Sequence, residues 1–244
     1  MTTVPPAERV QAIPGTANFR DIGGYAARGG ARVARGQLFR ADGIDELGDA
    51  GRAALAGLGL RTVVDLREAI ESEQHPDDLA GLELDHVRIP VLGELGTGHV
   101  VDLGRLYLLL LEERGDRLAE AVRRLAAPGA LPALYHCAAG KDRTGLVTAL
   151  VLGLLGVAED EIVADYALTS DLLRGPKLDR IRGHAVEAGL DEQTIAVALD
   201  APPAAMRVAL DHLRERHGGV RAYLLAHGAT EAELDALADA LLER

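Results

Sequence analysis

The chain has 244 residues, of which 48% are hydrophobic and 26% charged, a composition typical of a folded domain with a substantial apolar core. Acidic residues outnumber basic ones by 38 to 26, and the net charge of −12 disfavours nucleic acids and acidic membranes as partners. The longest apolar run, residues 146–157, is shorter than the ~18 residues of a membrane span. A single cysteine excludes an internal disulfide framework.

The N-terminus has neither the basic start nor the apolar core of a signal peptide, so we expect a cytoplasmic protein, with signal-less secretion left open. Apolar runs bounded by turn residues predict four strands, at residues 36–40, 61–66, 85–91 and 131–137. Apolar residues at three-and-four spacing predict helices between these strands, at residues 49–58, 103–111 and 116–125.

After the last predicted strand only helices are expected, at residues 144–155, 159–173, 178–187, 204–216 and 230–242. This order of elements is typical of an α/β domain, with a central, largely parallel sheet flanked by helices and an all-helical C-terminal part. Repeats and flexible linkers are absent from the sequence, so residues 1–244 are expected to form a single domain.

Residues 134–145 (LYHCAAGKDRTG) carry the strongest chemical pattern in the chain. An apolar strand delivers Cys137 to a tight loop, and Arg143 follows six residues later at the start of a helix. Such a loop turns backbone N–H groups inward and adds the positive end of the helix dipole, so a phosphoryl group fits it. The same field favours the nucleophilic thiolate of Cys137, and the planar Arg143 fork can hold two phosphoryl oxygens. The predicted phosphate-binding residues are Ala138, Ala139, Gly140, Lys141, Asp142, Arg143 and Thr144.

The segment HCAAGKDRTG resembles the Cys-x5-Arg motif of the protein tyrosine phosphatase superfamily. Four further segments are similar to motifs of the bacterial group that includes the mycobacterial PtpB-type enzymes, namely NFRDIGG (18–24), LFRAD (38–42), VDLR (64–67) and DYALT (165–169). The resemblance covers residues 14–242. It implies a phosphotyrosine phosphatase-like fold with a helical lid, which we expect at residues 171–204. It also implies activity on phosphotyrosine, with tolerance for phosphoserine, phosphothreonine and phosphoinositides, and no metal or other cofactor.

By this resemblance, Cys137 attacks phosphorus to form a cysteinyl-phosphate intermediate, Arg143 holds the phosphoryl oxygens, and Thr144 donates a hydrogen bond to the thiolate. His136 orients the cysteine. The chain has no Trp, so the Trp-Pro-Asp loop of eukaryotic tyrosine phosphatases cannot supply the general acid. The first choice is Asp142, because the Lys141-Asp142 pair is similar to the loops of lipid-active phosphatases. The other candidates are Asp65, Asp77 and Asp78.

Several residues have two readings. Lys141 is either a solvated loop charge or a contact to a second anionic group of the substrate. Asp65 and Arg67, at the end of a predicted strand, form either a surface ion pair or a support of the pocket. Arg20, in the NFRDIGG segment, belongs either to a packed turn or to the same support. We expect all three to support the pocket. The partners predicted are a phosphorylated protein or phospholipid as substrate and inorganic phosphate as product, and the oligomeric state is left open.

Two other classes of function compete with a phosphatase. A phosphate-binding module without turnover would be expected to lack Cys137, Arg143 or an acid candidate, and all three are present. A thiol redox or sulfur-transfer enzyme has no need of Arg143 at this spacing, and no second cysteine is available to resolve a disulfide. The eight histidines form no HExxH or other closely spaced ligand cluster, which disfavours a metal enzyme.

Overall fold

The computed structural model describes residues 8–93, 102–187, 189 and 191–243. The strands are β1 Arg20–Asp21, β2 Arg32–Val33, β3 Leu38–Ala41, β4 Thr62–Asp65, β5 Asp85–Arg88, β6 Ala133–His136 and β7 Leu242–Glu243. The first helices are α1 Gly48–Ala56, α2 Ala69–Gln74, α3 Leu103–Glu113, α4 Gly115–Ala126 and α5 Asp142–Leu154. The C-terminal helices are α6 Glu159–Leu172, α7 Pro176–Glu187, α8 Glu192–Leu199, α9 Pro203–His217, α10 Val220–Ala226 and α11 Glu231–Leu241.

The central sheet has the strand order β1-β3-β6-β4-β5, and β3, β6, β4 and β5 are parallel. This confirms the predicted α/β class with a largely parallel sheet. The antiparallel edge strand β1 and the separate β2–β7 pair were not predicted, because each has two residues and leaves no periodic pattern. The register pairs Ala41 and Asp65 with His136, so the parallel strands end together at one edge. Ligands bind at this edge in open α/β sheets.

Side chains of the strands alternate between two apolar clusters, as the period of two requires. Val64 and Tyr135 face the larger cluster, whereas Val63 and Leu134 face the smaller one beside α1. Helix α5 crosses the larger cluster and buries 11 of its 13 residues, so it is apolar on nearly every side. Because α5 is packed on nearly every side, the position of its first residue is fixed, and so is the position of the loop before it.

Three helices lack the pattern needed to predict them. Helix α2 is short and buries none of its residues, so it has no apolar stripe. Helices α8 and α10 have 8 and 7 residues, which is also too short for a clear period. Among the described residues, no helix is both long and apolar enough to cross a membrane.

Candidate active site

The loop between β6 and α5 is held from outside by hydrogen bonds to its carbonyl groups. The Ala138 carbonyl accepts from the Gly43 amide at 2.9 Å, and the Asn18 side-chain amide donates to Ala139 O and Gly140 O, each at 3.0 Å. In a planar trans peptide the N–H points opposite to the carbonyl. Carbonyls turned outward therefore turn the following N–H groups toward the concave side, which forms an anion cradle at a helix N-terminus.

Gly140 is required by the way this loop passes the strand beside it. Its φ is +64°, and a Cβ at this position would lie 2.3 Å from the carbonyl oxygen of Ala41. Both facts exclude any other residue without a backbone shift. The Arg40 guanidinium donates to the Gly140 carbonyl at 2.7 Å, which further holds this turn in place.

Cys137 is the first loop residue after β6, and its side chain is buried. The Thr144 hydroxyl donates to Cys137 Sγ at 3.2 Å. Thr144 is fully buried in the first turn of α5, and its own carbonyl accepts from the Thr148 hydroxyl at 2.8 Å. The sulfur thus lies at the base of the cradle, with a hydroxyl donor beside it that can stabilise a thiolate.

Arg143 is held by a carboxylate that the sequence analysis did not identify. Its Nη1 and Nη2 donate to the two oxygens of Glu71, on α2, at 2.5 and 2.8 Å. Burial alone would lower the pKa of Arg143, but the charges of Cys137 and Glu71 outweigh it and raise the pKa above its usual value. Burial would raise the pKa of Glu71, and Arg143 more than reverses this. The only sequence signal for Glu71 is its capping-box spacing from Glu68.

Asp142 and Lys141 stand at the rim of the loop. The Asp142 carboxyl is 26% exposed, so it can contact a bound molecule. Its Oδ1 accepts from the Tyr107 hydroxyl at 2.7 Å and lies 3.3 Å from Lys141 Nζ. The Lys141 ammonium is buried and donates to the Asp200 carbonyl at 2.7 Å. Lys141 is therefore no solvated loop charge in this structure, which corrects the first of its two readings.

A buried ionic network lies behind the cysteine. Arg67 Nε and Nη2 donate to the two oxygens of Asp65 at 2.8 and 3.0 Å, and Nη2 also donates to Asp77 at 2.7 Å. The other oxygen of Asp77 lies 3.1 Å from His136 Nε2 and 2.9 Å from His86 Nε2. The network ties the residue before the cysteine to two neighbouring loops.

In this network, burial and the neighbouring charges shift each pKa in opposite directions. Burial alone would raise the pKa of Asp77, but His136, His86 and Arg67 hold it far below its usual range. Asp65 has a lowered pKa for a similar reason, with burial outweighed by His136 and Arg67. For His136, burial would lower the pKa, and Asp77 and Asp65 raise it.

Asp65, Asp77 and His136 are the one group among the described residues whose ligand atoms come close enough to hold a metal ion, all within 4.8 Å of one another. The Arg67 guanidinium already bonds to both carboxylates. A cation would have to displace this built-in positive charge, so the group fits an ion-pair network better than a metal site.

A second buried cluster joins three of the motifs noted in the sequence. The carboxylate of Asp165, on α6, accepts from Arg20 at 3.1 and 3.2 Å, from Arg40 at 2.7 Å, from Arg9 at 3.1 Å and from the Tyr25 hydroxyl at 2.9 Å. Burial would raise the pKa of Asp165, and the guanidinium groups of Arg20 and Arg40 hold it well below its usual range. Because Arg40 also donates to the Gly140 carbonyl, this cluster supports the loop that forms the cradle.

The remaining acid candidate lies elsewhere. Asp78 accepts from the Gly48 amide at 2.8 Å and from the Arg52 side chain, so it belongs to the start of α1. Of the four aspartates considered from the sequence, the structure brings Asp142 to the rim of the loop, encloses Asp65 and Asp77 in the network behind it, and ties Asp78 to α1.

Helices α7 and α8 occupy most of the segment expected to form a lid, with residues 188 and 190 outside the described part. Lys177, on α7, donates to the Gly43 carbonyl at 2.7 Å and lies 3.3 Å from the Asp45 carboxylate. Arg180 pairs with Glu46 in the same loop. This loop also bonds to Ala138, so α7 lies next to the cradle.

Comparison with known proteins identifies the family. The family model described as a tyrosine phosphatase family matches residues 11–243. The chain belongs to this tyrosine phosphatase family. It is 33% identical over 213 residues to a tyrosine-protein phosphatase of Nostoc commune, covering 82% of this chain and 72% of the relative. It is 32% identical over 199 residues to the triple specificity protein phosphatase PtpB of Mycobacterium tuberculosis, covering 66% and 70%.

The crystal structure of TpbA from P. aeruginosa is also similar, with a TM-score of 0.34 and 20% identity over 69% of this chain and 90% of that one. The family membership confirms the expected function: the protein is a cysteine-dependent phosphatase that acts on phosphorylated substrates. A phosphate-binding module without turnover is not favoured.

Proposed function

We propose that catalysis proceeds in two steps through Cys137. In the first step the sulfur attacks phosphorus, an S–P bond forms, and the bond from phosphorus to the leaving oxygen breaks. The leaving oxygen takes a proton from the Asp142 carboxyl. In the second step water attacks phosphorus, Asp142 takes back a proton from it, the S–P bond breaks, and inorganic phosphate is released. The observation that carries this proposal is the Thr144 hydroxyl at 3.2 Å from a sulfur in an anion cradle.

Arg143 and the loop amides are proposed to stabilise the charge that grows on the phosphoryl oxygens in both transition states. A planar guanidinium can bond to two of these oxygens at once. Glu71 bonds to the same guanidinium through both of its oxygens, which restricts the orientation of Arg143 before substrate arrives. A group oriented in advance loses less entropy in the transition state.

Exposure, pKa and hydrogen bonding each favour Asp142 over another of the aspartates as the general acid. Its carboxyl is partly exposed at the rim, whereas those of Asp65 and Asp77 are buried with both oxygens bonded to other side chains. The lowered pKa of Asp77 and of Asp65 also keeps each ionised, without a proton to donate. The bonds of Asp78 to α1 hold it in a structural role.

The proposed substrates are phosphotyrosine, phosphoserine, phosphothreonine and phosphoinositides, in a cytoplasmic setting. The name of the M. tuberculosis relative, a triple specificity phosphatase, supports a broad range of leaving groups. We further propose that residues 171–204 act as a lid. Lys177 and Lys141 support this, because each joins the segment to the loops around the cradle through a single ammonium group.

A substrate panel in EDTA tests the proposal. Peptides carrying phosphotyrosine, phosphoserine or phosphothreonine are compared with phosphoinositides. We expect turnover without added metal and vanadate inhibition, since vanadate mimics the transferring phosphoryl group. Activity that disappears in EDTA and returns with a divalent metal would overturn the mechanism. Hydrolysis of phosphotyrosine alone would narrow the substrate range and leave the mechanism in place.

The acid assignment has its own test in Asp142→Asn. We expect a large loss for phosphoserine, whose leaving alcohol needs a proton, and a small loss for p-nitrophenyl phosphate, whose leaving group does not. Asp78→Asn is the matched control, because it removes a carboxylate that is partly buried but bonded to α1. An equal loss of both substrates in Asp142→Asn would mean that Asp142 shapes the loop, and the acid would have to be sought elsewhere.

A further inference from the structure

Two buried tyrosines form a hydrogen-bonded chain that ends at Asp142. The Tyr107 hydroxyl on α3 is 2.7 Å from Asp142 Oδ1, and it is also 2.7 Å from the hydroxyl of Tyr166 on α6. The two rings meet edge to face, with centroids 5.9 Å apart and planes at 89°. Both side chains are almost completely buried, so neither hydroxyl has free access to solvent.

The direction of these hydrogen bonds follows from the chemistry of the groups. An ionised carboxylate only accepts, so Tyr107 must use its single proton toward Asp142. The oxygen of Tyr107 is then left to accept from Tyr166. Burial, together with Asp142 and Tyr166, holds the pKa of Tyr107 well above its usual value, so its hydroxyl keeps the proton. Burial likewise raises the pKa of Tyr166.

This arrangement makes the two oxygens of Asp142 unequal. Oδ1 accepts from Tyr107 and lies 3.3 Å from the Lys141 ammonium, so two donors already face it. A proton on Asp142 is therefore favoured on Oδ2. Since the carboxyl is the partly exposed member of this cluster, Oδ2 is the oxygen available to a leaving group.

We propose that Tyr107 is a positioning residue for the general acid, and that Tyr166 supports it from behind. Tyr107 fixes the carboxyl so that the acidic proton resides on Oδ2 and faces the leaving oxygen. This inference rests on the proposed role of Asp142. The three hydroxyl and carboxyl groups come from α3, α5 and α6, so the packing of three helices sets the orientation of one carboxyl.

Packing around Tyr166 is tight enough to keep this geometry. A Cβ added at Gly145, one turn into α5 from Asp142, would lie 3.1 Å from Cδ2 of Tyr166. The absence of a side chain at Gly145 thus lets the Tyr166 ring approach α5 closely. The helix that carries the acid and the ring behind Tyr107 are in direct contact.

The test is Tyr107→Phe, which removes one hydroxyl and keeps the ring. We expect kcat for phosphoserine peptide to fall about tenfold, the effect of losing one hydrogen bond to a charged group. For p-nitrophenyl phosphate we expect a change of less than about twofold, because this leaving group needs little protonation. Tyr166→Phe should act in the same direction with a smaller effect.

The matched control is Tyr223→Phe. Tyr223 is equally buried, and its hydroxyl donates to the Leu111 carbonyl at 2.8 Å, away from Asp142. We expect it to lower the melting temperature about as much as Tyr107→Phe, with no change in the ratio of the two substrates. If Tyr107→Phe lowers both substrates equally, as a packing defect would, the positioning role is wrong.

Asp142→Asn separates this inference from the function on which it rests. Loss of the phosphoserine rate in Asp142→Asn but not in Tyr107→Phe would refute the role of Tyr107 and leave the acid assignment intact. No substrate dependence in Asp142→Asn would refute both. In the double variant, the Tyr107 change should cause no further loss of phosphoserine turnover, because the acid it positions is already absent. A full additional tenfold loss would contradict the inference.

Discussion

Helices α5 and α7 both border the anion cradle, but they are held in place by different forces. Helix α5 buries 11 of its 13 residues against the sheet and the surrounding helices. None of the α7 side chains that the structure describes is buried, and its contacts to the loop after β3 are made by Lys177 and Arg180. The groups proposed for chemistry therefore lie on a rigid base, whereas the helix proposed for closure is held by a few partly buried polar contacts.

This difference matches the demands of the two roles. A nucleophile and its phosphoryl clamp must be held to within a fraction of an ångström, which requires dense packing. A lid must open on each turnover, so its contacts must be weak enough to break. A few polar contacts meet this need better than a packed apolar core, because fewer interactions have to break when the helix moves.

The largest expected effect lies on the rigid base, in Arg143→Lys. An ammonium is a point charge and cannot hold two phosphoryl oxygens, so we expect kcat to fall on the order of a hundredfold or more. Circular dichroism and the melting temperature, measured beside steady-state kinetics, distinguish this from unfolding. A rate within a few fold of wild type would contradict the proposed clamp.

Asp165→Asn should be the most damaging change to stability. It would leave the buried guanidinium groups of Arg20 and Arg40 without their shared carboxylate, at a cost of about 3 to 5 kcal/mol. Chemical denaturation measures the free energy of unfolding. Asp211→Asn is the matched control, since Asp211 forms an exposed pair with Arg214 and should change stability by less than about 0.5 kcal/mol. Equal losses of unfolding free energy in the two variants would show that Asp165 stabilises the fold no more than an exposed ion pair does.

A smaller, pH-dependent effect is expected from the network behind the cysteine. The raised pKa of His136 means that its contribution to stability is complete below the unfolded value of about 6.5 and is lost as pH rises through the folded pKa. The lowered pKa of Asp77 makes its contribution complete above about pH 4 and lost only at lower pH. The pair should therefore stabilise most between these two values.

His136→Gln tests this window by chemical denaturation at about pH 5.5 and about pH 9. Wild type should exceed the variant in free energy of unfolding by more at the lower pH. The same difference at both pH values would show that folding does not raise the pKa of His136.

The smallest effect is expected in α7, in Lys177→Met. Loss of the bonds to Gly43 and Asp45 should speed amide hydrogen exchange in α7 several-fold while kcat/KM changes by less than about threefold. Arg182→Met is the control, because Arg182 pairs with Glu192 of α8 and joins the two helices to each other. Vanadate should slow exchange in α7 of wild type. Uniformly slow exchange in α7, with or without vanadate, would argue against a lid.

Local patterns in the sequence were enough to predict the sheet, the loop and most helices. Residues 134–145 were informative because the strand, the loop and the helix start are consecutive, so the spacing from Cys137 to Arg143 alone determines their arrangement. The strands were predicted because each is a short apolar run bounded by turn residues. Strands of two residues and the polar helix α2 leave none, and they were missed.

Side-chain partners far apart in the chain could not be predicted. Glu71 is 72 residues from Arg143, and Tyr107 is 35 residues from Asp142, so each pairing depends on how the helices pack. Asp77 shows the same limit from the other direction. The sequence alone does not distinguish Asp77 from the other candidate acids. Only its contacts to Arg67, His136 and His86 show that it belongs to a buried network and is not a proton donor.

Trapping the covalent intermediate tests the central claim most directly. The protein is mixed with a ³²P-labelled phosphotyrosyl peptide, denatured within milliseconds, digested and analysed by mass spectrometry. We predict a phosphate bonded to sulfur in the peptide that contains Cys137, formed and lost at rates that account for kcat, and absent from Cys137→Ala. Full turnover in Cys137→Ala, or label on any other residue at a kinetically competent rate, would contradict the mechanism.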